Sequence, residues 1–147
     1  MSGLEKKNVI VVGVDGSSDS KRALDWAFGE AELRGASLLL VNGVDLGLSA
    51  GDPYGGGYVL ESLQEAGRLA LDEAEALAAA RGITVERKLE NGSPAYALID
   101  ASEGADLLVV GSRGHGGFTG LLLGSVSAAC VHHAHCPVVV VRPPDKD

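Results

Sequence analysis

Short apolar runs, separated by segments of helical periodicity, recur along the whole chain. A run that is apolar at every position is typical of a strand buried on both faces of a parallel sheet. Helices that cross over a face of the sheet join such strands. The pattern therefore predicts one α/β domain over residues 1–147, with a doubly wound, five-stranded parallel sheet in the order 3-2-1-4-5 and helices on both faces. The expected strands are Val9–Val14, Leu38–Val41, Ile83–Leu89, Leu107–Val110 and Val138–Val141.

Four helices are expected between these strands. The first has Asp19 or Ser20 as its expected N-cap and ends at Gly35. The third begins at Ser93-Pro94, a cap residue followed by proline at the first helical position, and the fourth begins near Ser125. The second follows a glycine-rich loop, and the side that we expect to pack on the sheet comprises Leu60, Leu63, Ala70, Ala74, Leu77 and Ala78.

Composition and charge limit the function. The formal net charge is −8, whereas sequence-independent binding of nucleic acid needs a basic face. No apolar stretch is long enough to span a bilayer, and Met1–Asn8 lacks the apolar core of a signal peptide. Two cysteines do not make a secreted disulfide scaffold. We therefore expect a cytoplasmic protein with no nucleic-acid or membrane partner.

The segment behind the fourth strand has the composition of an anion site. It begins Gly111-Ser112-Arg113-Gly114, and nine residues later continues Gly124-Ser125-Val126-Ser127. Glycines let the backbone approach a ligand, and a helix start offers free N–H groups and a positive dipole end. The segment therefore predicts a site for a phosphate-bearing small molecule; the alternative is a turn followed by a capped helix. If strands one and four are neighbours, Asp15 faces the same crevice.

These segments resemble the universal stress protein family over essentially the whole chain. The resemblance lies in Val11-Val12-Gly13-Val14-Asp15-Gly16-Ser17, in Ala105–Gly114, in Leu122–Ser127 and in Cys136–Val141. The family's ATP-binding branch is marked by Gly-x2-Gly-x9-Gly-[Ser/Thr], which is present here as Gly111, Gly114, Gly124 and Ser125. The resemblance implies a homodimeric, cytoplasmic protein that binds ATP, with Mg²⁺ expected beside the phosphates, and that acts in stress physiology.

The resemblance also implies a role for each matching residue. Gly13, Val14 and Asp15 would meet the nucleoside, and the backbone of Gly43 would contact adenine. Gly111 and Gly114 would let the chain pass close to the ribose and the first phosphates. The phosphates would be held by Gly124, Ser125, Val126 and Ser127.

Three details leave alternatives open. The second strand ends Val41-Asn42-Gly43-Val44-Asp45, where the family more often has His-Val-Val-Asp, so a side-chain wall over adenine is missing. Asp15 could instead bond its own backbone in a turn. Arg113 could offset phosphate charge, as could a protonated His115, or both could project into solvent.

No spacing pairs a nucleophile with an oriented base, so we expect an ATP-dependent switch with at most slow, incidental hydrolysis. The switch would act by ordering the Gly47–Gly57 loop and so changing the surface offered to an unidentified protein partner. The alternatives are an adenine-nucleotide hydrolase or adenylate-transferring enzyme, and a protein that binds cyclic AMP. No metal site is expected, although Cys130 to Cys136 holds two cysteines and three histidines. The apolar edge strand Val138–Val141 is expected to pair with a second copy.

Overall fold

The computed structural model of the chain describes residues 8–44, 56–113 and 123–144. Its strands form one parallel sheet in the order β3-β2-β1-β4-β5, which confirms the predicted fold. Among the described residues, no helix has the length and apolar content needed to cross a membrane. The elements are β1 Val9–Gly13, α1 Ser18–Arg34, β2 Ser37–Val44, α2 Gly56–Ala80, β3 Val85–Asn91, α3 Pro94–Ser102, β4 Leu107–Gly111, α4 Ser125–His133 and β5 Val138–Val141.

The two faces of the sheet bury separate cores. Side chains alternate along a strand, so Ile10 and Val12 of β1 face α1 and α2, whereas Val11 faces α3 and α4. All three are fully buried. Continuous apolar runs are therefore required in the central strands, as the sequence pattern predicts.

The cap of α1 differs from the prediction. Ser17 is the N-cap, and its hydroxyl accepts the N–H of Ser20 at 3.2 Å. Asp19 and Ser20 lie inside the first turn instead, and both are buried. The predicted end at Gly35 is confirmed: the residue has a φ of 64°, in the left-handed region that glycine adopts without strain.

Helix α2 is rotated relative to the predicted apolar side. Leu71, Ala74 and Ala78 are buried, whereas Leu63 and Leu77 are 38% and 50% exposed. The rotation has a steric cause, because a Cβ atom at Gly67 would collide with the side-chain amide of Asn42 in β2. The helix therefore places Gly67, which has no side chain, over the Asn42 amide that projects from the sheet.

Strand β2 is longer than predicted and extends past the end of its neighbour. The last β1 pair is Gly13 with Val41, whereas β2 continues to Val44 and pairs there only with β3. Gly43 lies in this extension, and a Cβ atom there would stand 2.5 Å from the Cα of Pro94. The glycine is needed because the start of α3 packs directly on the backbone of β2.

We predict that Gly43→Ala destabilises the protein by about 1–3 kcal/mol, since the added methyl group overpacks a contact with backbone that cannot move away alone. Gly29→Ala is the matched control. Gly29 lies inside α1, where an added Cβ atom would meet no other described element within 4 Å, and alanine there should stabilise the helix by up to about 1 kcal/mol. Urea unfolding of both variants measures the difference, and equal midpoints would contradict the prediction.

Candidate functional site

The carboxyl ends of β1 and β4 lie side by side at the point where strand order reverses. The two strands pair from Ile10 with Leu107 to Val12 with Val109, while β2 lies on the other side of β1. Ligands of open α/β sheets bind in the crevice beyond such strand ends. This adjacency brings the predicted residues after β1 and those after β4 to one edge of the sheet.

Asp15 follows β1 and is exposed at this edge. Its Oδ1 accepts hydrogen bonds from the backbone N–H of Ser17 at 2.8 Å and from the Ser17 hydroxyl at 2.6 Å. Its own N–H donates to the hydroxyl oxygen of Ser20 at 3.1 Å, and that hydroxyl donates to the carbonyl of Gly13 at 3.2 Å. Asp15 therefore forms the turn that the sequence offered as an alternative, and the turn holds its carboxylate beside the crevice.

The backbone of Val14 is fixed from β2. Its N–H donates to the carbonyl of Val41 at 2.8 Å, and its own carbonyl accepts a hydrogen bond from the Asn42 side chain at 2.7 Å. Asn42 is a buried polar residue, and this bond satisfies its amide group. Both main-chain groups of Val14 are thus bonded inside the protein, and its side chain is buried in the core that faces α1 and α2.

Asp19 joins the start of α1 to the end of β4. Its Oδ2 accepts hydrogen bonds from the hydroxyl of Ser112 and from the backbone N–H of Arg113, each at 3.2 Å. A Cβ atom at Gly111 would lie 2.7 Å from the carbonyl oxygen of Asp19. The missing side chain of Gly111 therefore makes room for α1, a packing role that differs from the ligand contact that the resemblance implied.

The carbonyl of Ser112 ties the start of α4 to the end of β4. It accepts hydrogen bonds from the N–H of Gly124 at 2.6 Å and from the Ser127 hydroxyl at 2.7 Å. Ser127 is buried, so its hydroxyl serves this tie. The segment between these two ends, with Gly114 and His115, lies outside the described residues.

Helix α4 begins beside the crevice, and its N-cap residue provides no side-chain hydrogen bond to the first turn. Gly124 is the N-cap and carries no side chain that could accept the first N–H groups. The first N–H groups of a helix have no partner within the helix and carry a partial positive charge. Ser125 is exposed at the first position, and Val126 follows half-buried. Such an end can bind an anion through the backbone.

The charges around Asp19 add to this preference for an anion. Its Oδ1 lies 2.7 Å from Nη1 of Arg22, and its Oδ2 lies 3.7 Å from Nε of Arg113. One carboxylate therefore faces two guanidinium groups, which leaves one positive charge uncompensated within the cluster. Arg113 lies beside the crevice with its side chain 31% exposed, consistent with either of the roles that the sequence left open.

The cysteine and histidine segment at the end of α4 gives no metal site in the described part of the chain, where no group of three or more His, Cys, Asp or Glu residues converges. Cys130 is fully buried in the core under α4. Burial raises the pKa of its thiol to about 11, because an apolar surrounding disfavours the thiolate that would bind a metal.

Sequence reasoning missed Ser112 and Asn42, and it assigned Asp19 only as a possible cap. All three are buried polar residues that fix the edge of the site. One signal was available: Ser112 directly follows the apolar run of β4, and Asn42 interrupts the run of β2. A polar side chain at such a position either projects into solvent or has a hydrogen-bond partner inside the core.

We predict that Asp19→Ala destabilises the protein by about 1–3 kcal/mol, since it leaves the buried Ser112 hydroxyl without its acceptor and uncouples α1 from β4. Asp25→Ala is the control on the same helix. The Asp25 side chain is 83% exposed and lies 3.6 Å from Arg81, so its loss should cost about 0.5 kcal/mol or less. Thermal unfolding of the two variants makes the comparison, and similar losses would contradict it.

The family model of the universal stress protein family matches residues 7–142. A universal stress protein of Mycolicibacterium smegmatis is 41% identical over 136 residues, which cover 91% of this chain and 45% of the relative. The chain thus spans about half the length of the mycobacterial relatives that it matches. A universal stress protein of Methanocaldococcus jannaschii is 34% identical over 142 residues, which cover 94% of this chain and 84% of the relative.

Solved structures have the same fold. A universal stress protein of Lactobacillus plantarum superposes with a TM-score of 0.78 at 22% identity, over 97% of this chain and all of that one. A universal stress protein in complex with cAMP has a TM-score of 0.69 at 33% identity, over 90% and 95% of the two chains. An Arabidopsis thaliana member with AMP bound has a TM-score of 0.67 at 25% identity, over 92% of each chain. The chain belongs to the universal stress protein family.

Proposed function

We propose that this protein binds an adenine nucleotide across the carboxyl ends of β1, β2 and β4, with the phosphates at the start of α4. The observation that carries the proposal is the N-terminus of α4, which has no side-chain cap and lies at the strand-order reversal. Two family members of related sequence, whose structures contain cAMP and AMP, support the same ligand class.

The phosphate end of the site consists mainly of backbone groups. The N–H groups of Ser125, Val126 and Ser127 would donate to phosphate oxygens, and Gly124 would let the phosphates approach them. The exposed hydroxyl of Ser125 adds a side-chain donor. Gly114, which completes the glycine spacing, contributes to this proposal from the sequence alone.

Positive charge and metal binding would assist in different ways. Arg113 would offset phosphate charge together with the cluster around Asp19. Mg²⁺ retains several waters and binds readily to phosphate oxygens, so it would enter with ATP and need no cage of protein carboxylates. At the phosphate end of the site, the exposed hydroxyl of Ser125 could reach this Mg²⁺ ion.

The nucleoside end would rest on the step between β1 and β2. Because β2 continues past β1 to Val44, the backbone of Gly43 lies beyond the end of β1, where it could contact adenine. The exposed carboxylate of Asp15 would bind ribose hydroxyls, and Gly13 and Val14 would form the floor. The missing side chain at Gly43 serves the contact with Pro94, so the wall over the base must come from elsewhere.

We infer that binding, with little or no turnover, is the function, and that ATP is the physiological ligand. The buried hydroxyls of Ser127 and Ser20 are engaged within the protein, with the carbonyls of Ser112 and Gly13 respectively. The described histidines lie at or beyond the last turn of α4, at the opposite end of that helix. An adenine-nucleotide hydrolase, an adenylate-transferring enzyme and a cAMP-binding protein remain the alternatives.

The biological setting of the proposal follows the family resemblance. We propose one domain over residues 1–147 that acts in the cytoplasm as a nucleotide-dependent switch in the stress response. Bound ATP would change the surface offered to a protein partner through the segment Gly47–Gly57. Residues 47–55 of this segment lie outside the described residues, and α2 already begins at Gly56.

We predict that Ser125→Glu weakens the binding of ATP by about tenfold or more, measured by calorimetry on nucleotide-free protein, because a carboxylate at this position repels phosphate. An acidic residue in the first turn of a helix is favourable, so the fold should be retained. Ser125→Gln is the matched neutral control and should bind within a few-fold of the unmodified protein.

Parallel titrations with ADP, AMP and cAMP identify the preferred nucleotide, and product analysis after long incubation with ATP tests for turnover. Equal affinities of the Glu and Gln variants would contradict the phosphate site at α4. Many turnovers per chain would favour the enzyme alternative, and a marked preference for cAMP would favour the cyclic-nucleotide alternative.

We also predict a homodimer that pairs through β5, because Val138–Val141 is a half-buried, wholly apolar strand at the edge of the sheet. Exposed edges of this kind tend to pair with another strand. Sedimentation equilibrium should give twice the mass of the chain. A monomer at micromolar concentration would contradict the pairing.

A further inference from the structure

A cleft lies between α1 and α2, on the outer side of the sheet core. Its volume is about 330 Å³. It forms because α1 packs chiefly on β1 and β4, whereas α2 packs on β2 and β3. The two helices therefore diverge over the centre of the sheet and leave a space between them.

The inner walls of the cleft are mainly apolar, and its charged residues are Lys21, Asp25, Glu73 and Arg81. Helix α1 contributes Leu24 and Phe28, whereas α2 contributes the short side chains of Ala70 and Ala74 and the half-exposed Leu77. The space exists because α2 carries alanines on this side, where longer side chains would fill it. An apolar cavity of about 150 Å³ can already admit a benzene-sized molecule, and ligand pockets begin at about 300 Å³.

Three ion pairs join α1 to α2 and to the residue that follows it, one near the strand ends and two at Arg81. Near the strand ends, Nζ of Lys21 lies 3.7 Å from the carboxylate of Glu73. At the other end, Arg81 lies 3.6 Å from Asp25 and binds the carboxylate of Glu32 through two nitrogens, at 3.1 and 2.7 Å. Its guanidinium also stands 5.1 Å from the centre of the Phe28 ring.

The charges that line the cleft balance, since Asp25 and Glu73 stand against Lys21 and Arg81, and both cations are already paired. An anionic ligand would find its favourable partners already engaged and would have to compete with these carboxylates for them. An uncharged apolar molecule would cover the apolar surface that is still exposed in the cleft, such as that of Leu77, without disturbing these ion pairs.

We propose that the cleft between α1 and α2 is a binding site for an uncharged, apolar small molecule with a body of the size of two fused rings or a medium-length alkyl chain. The site is separate from the proposed nucleotide site. The two share Val14, whose main chain is fixed by hydrogen bonds to β2, and the cleft runs from there along the helices toward Arg81.

The test uses N-phenyl-1-naphthylamine, an uncharged dye that becomes fluorescent in apolar surroundings. The unmodified protein should show saturable fluorescence with one dye per chain. Ala70→Leu fills the upper part of the cleft from a half-buried position, and it should weaken dye binding by about tenfold or more. Ala76→Leu adds the same side chain at an exposed position of α2 outside the cleft and should leave dye binding unchanged.

A second variant and a pair of competitors make the result independent of one substitution. Leu77→Ala removes a half-exposed wall residue, with little risk to the fold, and should weaken dye binding several-fold. Decanol should displace the dye at lower concentration than decanoate, because the two cations that line the cleft are already paired with carboxylates. Binding of nucleotide by the same variants, followed by calorimetry, should stay unchanged.

Other results would overturn the proposal. Absence of saturable dye binding, or equal binding by Ala70→Leu and Ala76→Leu, would show that the cleft takes no such ligand. Stronger displacement by decanoate than by decanol would show that the ligand class is wrong. If Ala70→Leu instead lowers the mass measured by sedimentation, the cleft is covered by a second copy of the chain.

Discussion

The carbonyl oxygen of Ser112 is the acceptor on which the geometry of the site depends. It holds the N–H of Gly124 and the hydroxyl of Ser127, and thereby fixes the first turn of α4 against the end of β4. Asp19 holds the same strand end from the other side through the Ser112 hydroxyl and the N–H of Arg113. A segment of a few residues after β4 thus joins both helices that border the crevice.

These ties explain how backbone groups can form a site without side chains aimed at a ligand. The N–H groups of a helix end bind an anion well only when the helix cannot turn away from it, since preorganised donors need no rearrangement on binding. The polar side chains that make this junction are buried, namely those of Asp19, Ser112 and Ser127. Their hydrogen bonds gain strength in a surrounding of low polarity, and this keeps α4 aimed at the crevice.

The sequence predicted the sheet and its order because the central strands are buried on both faces and so must be apolar throughout. It also predicted the start of α3, where Ser93 and Pro94 are a cap and a first helical residue. It failed at the cap of α1, because Ser17, Ser18, Asp19 and Ser20 can all cap a helix and only the packing against β4 selects among them. In α2, alanines occur on every side, so the pattern could not reveal that Gly67 sets the rotation.

At the site, sequence reasoning located the strand ends and the start of α4 but missed the packing roles of two of its glycines. The small size of Gly111 and of Gly43 is used by contacts within the protein, with Asp19 and Pro94 respectively. Spacing alone cannot separate a glycine that admits a ligand from one that admits a neighbouring backbone, since both require the same missing side chain. The distinction needs the position of the next element, and here the start of α4 is the part of the pattern on which the proposed phosphate site rests.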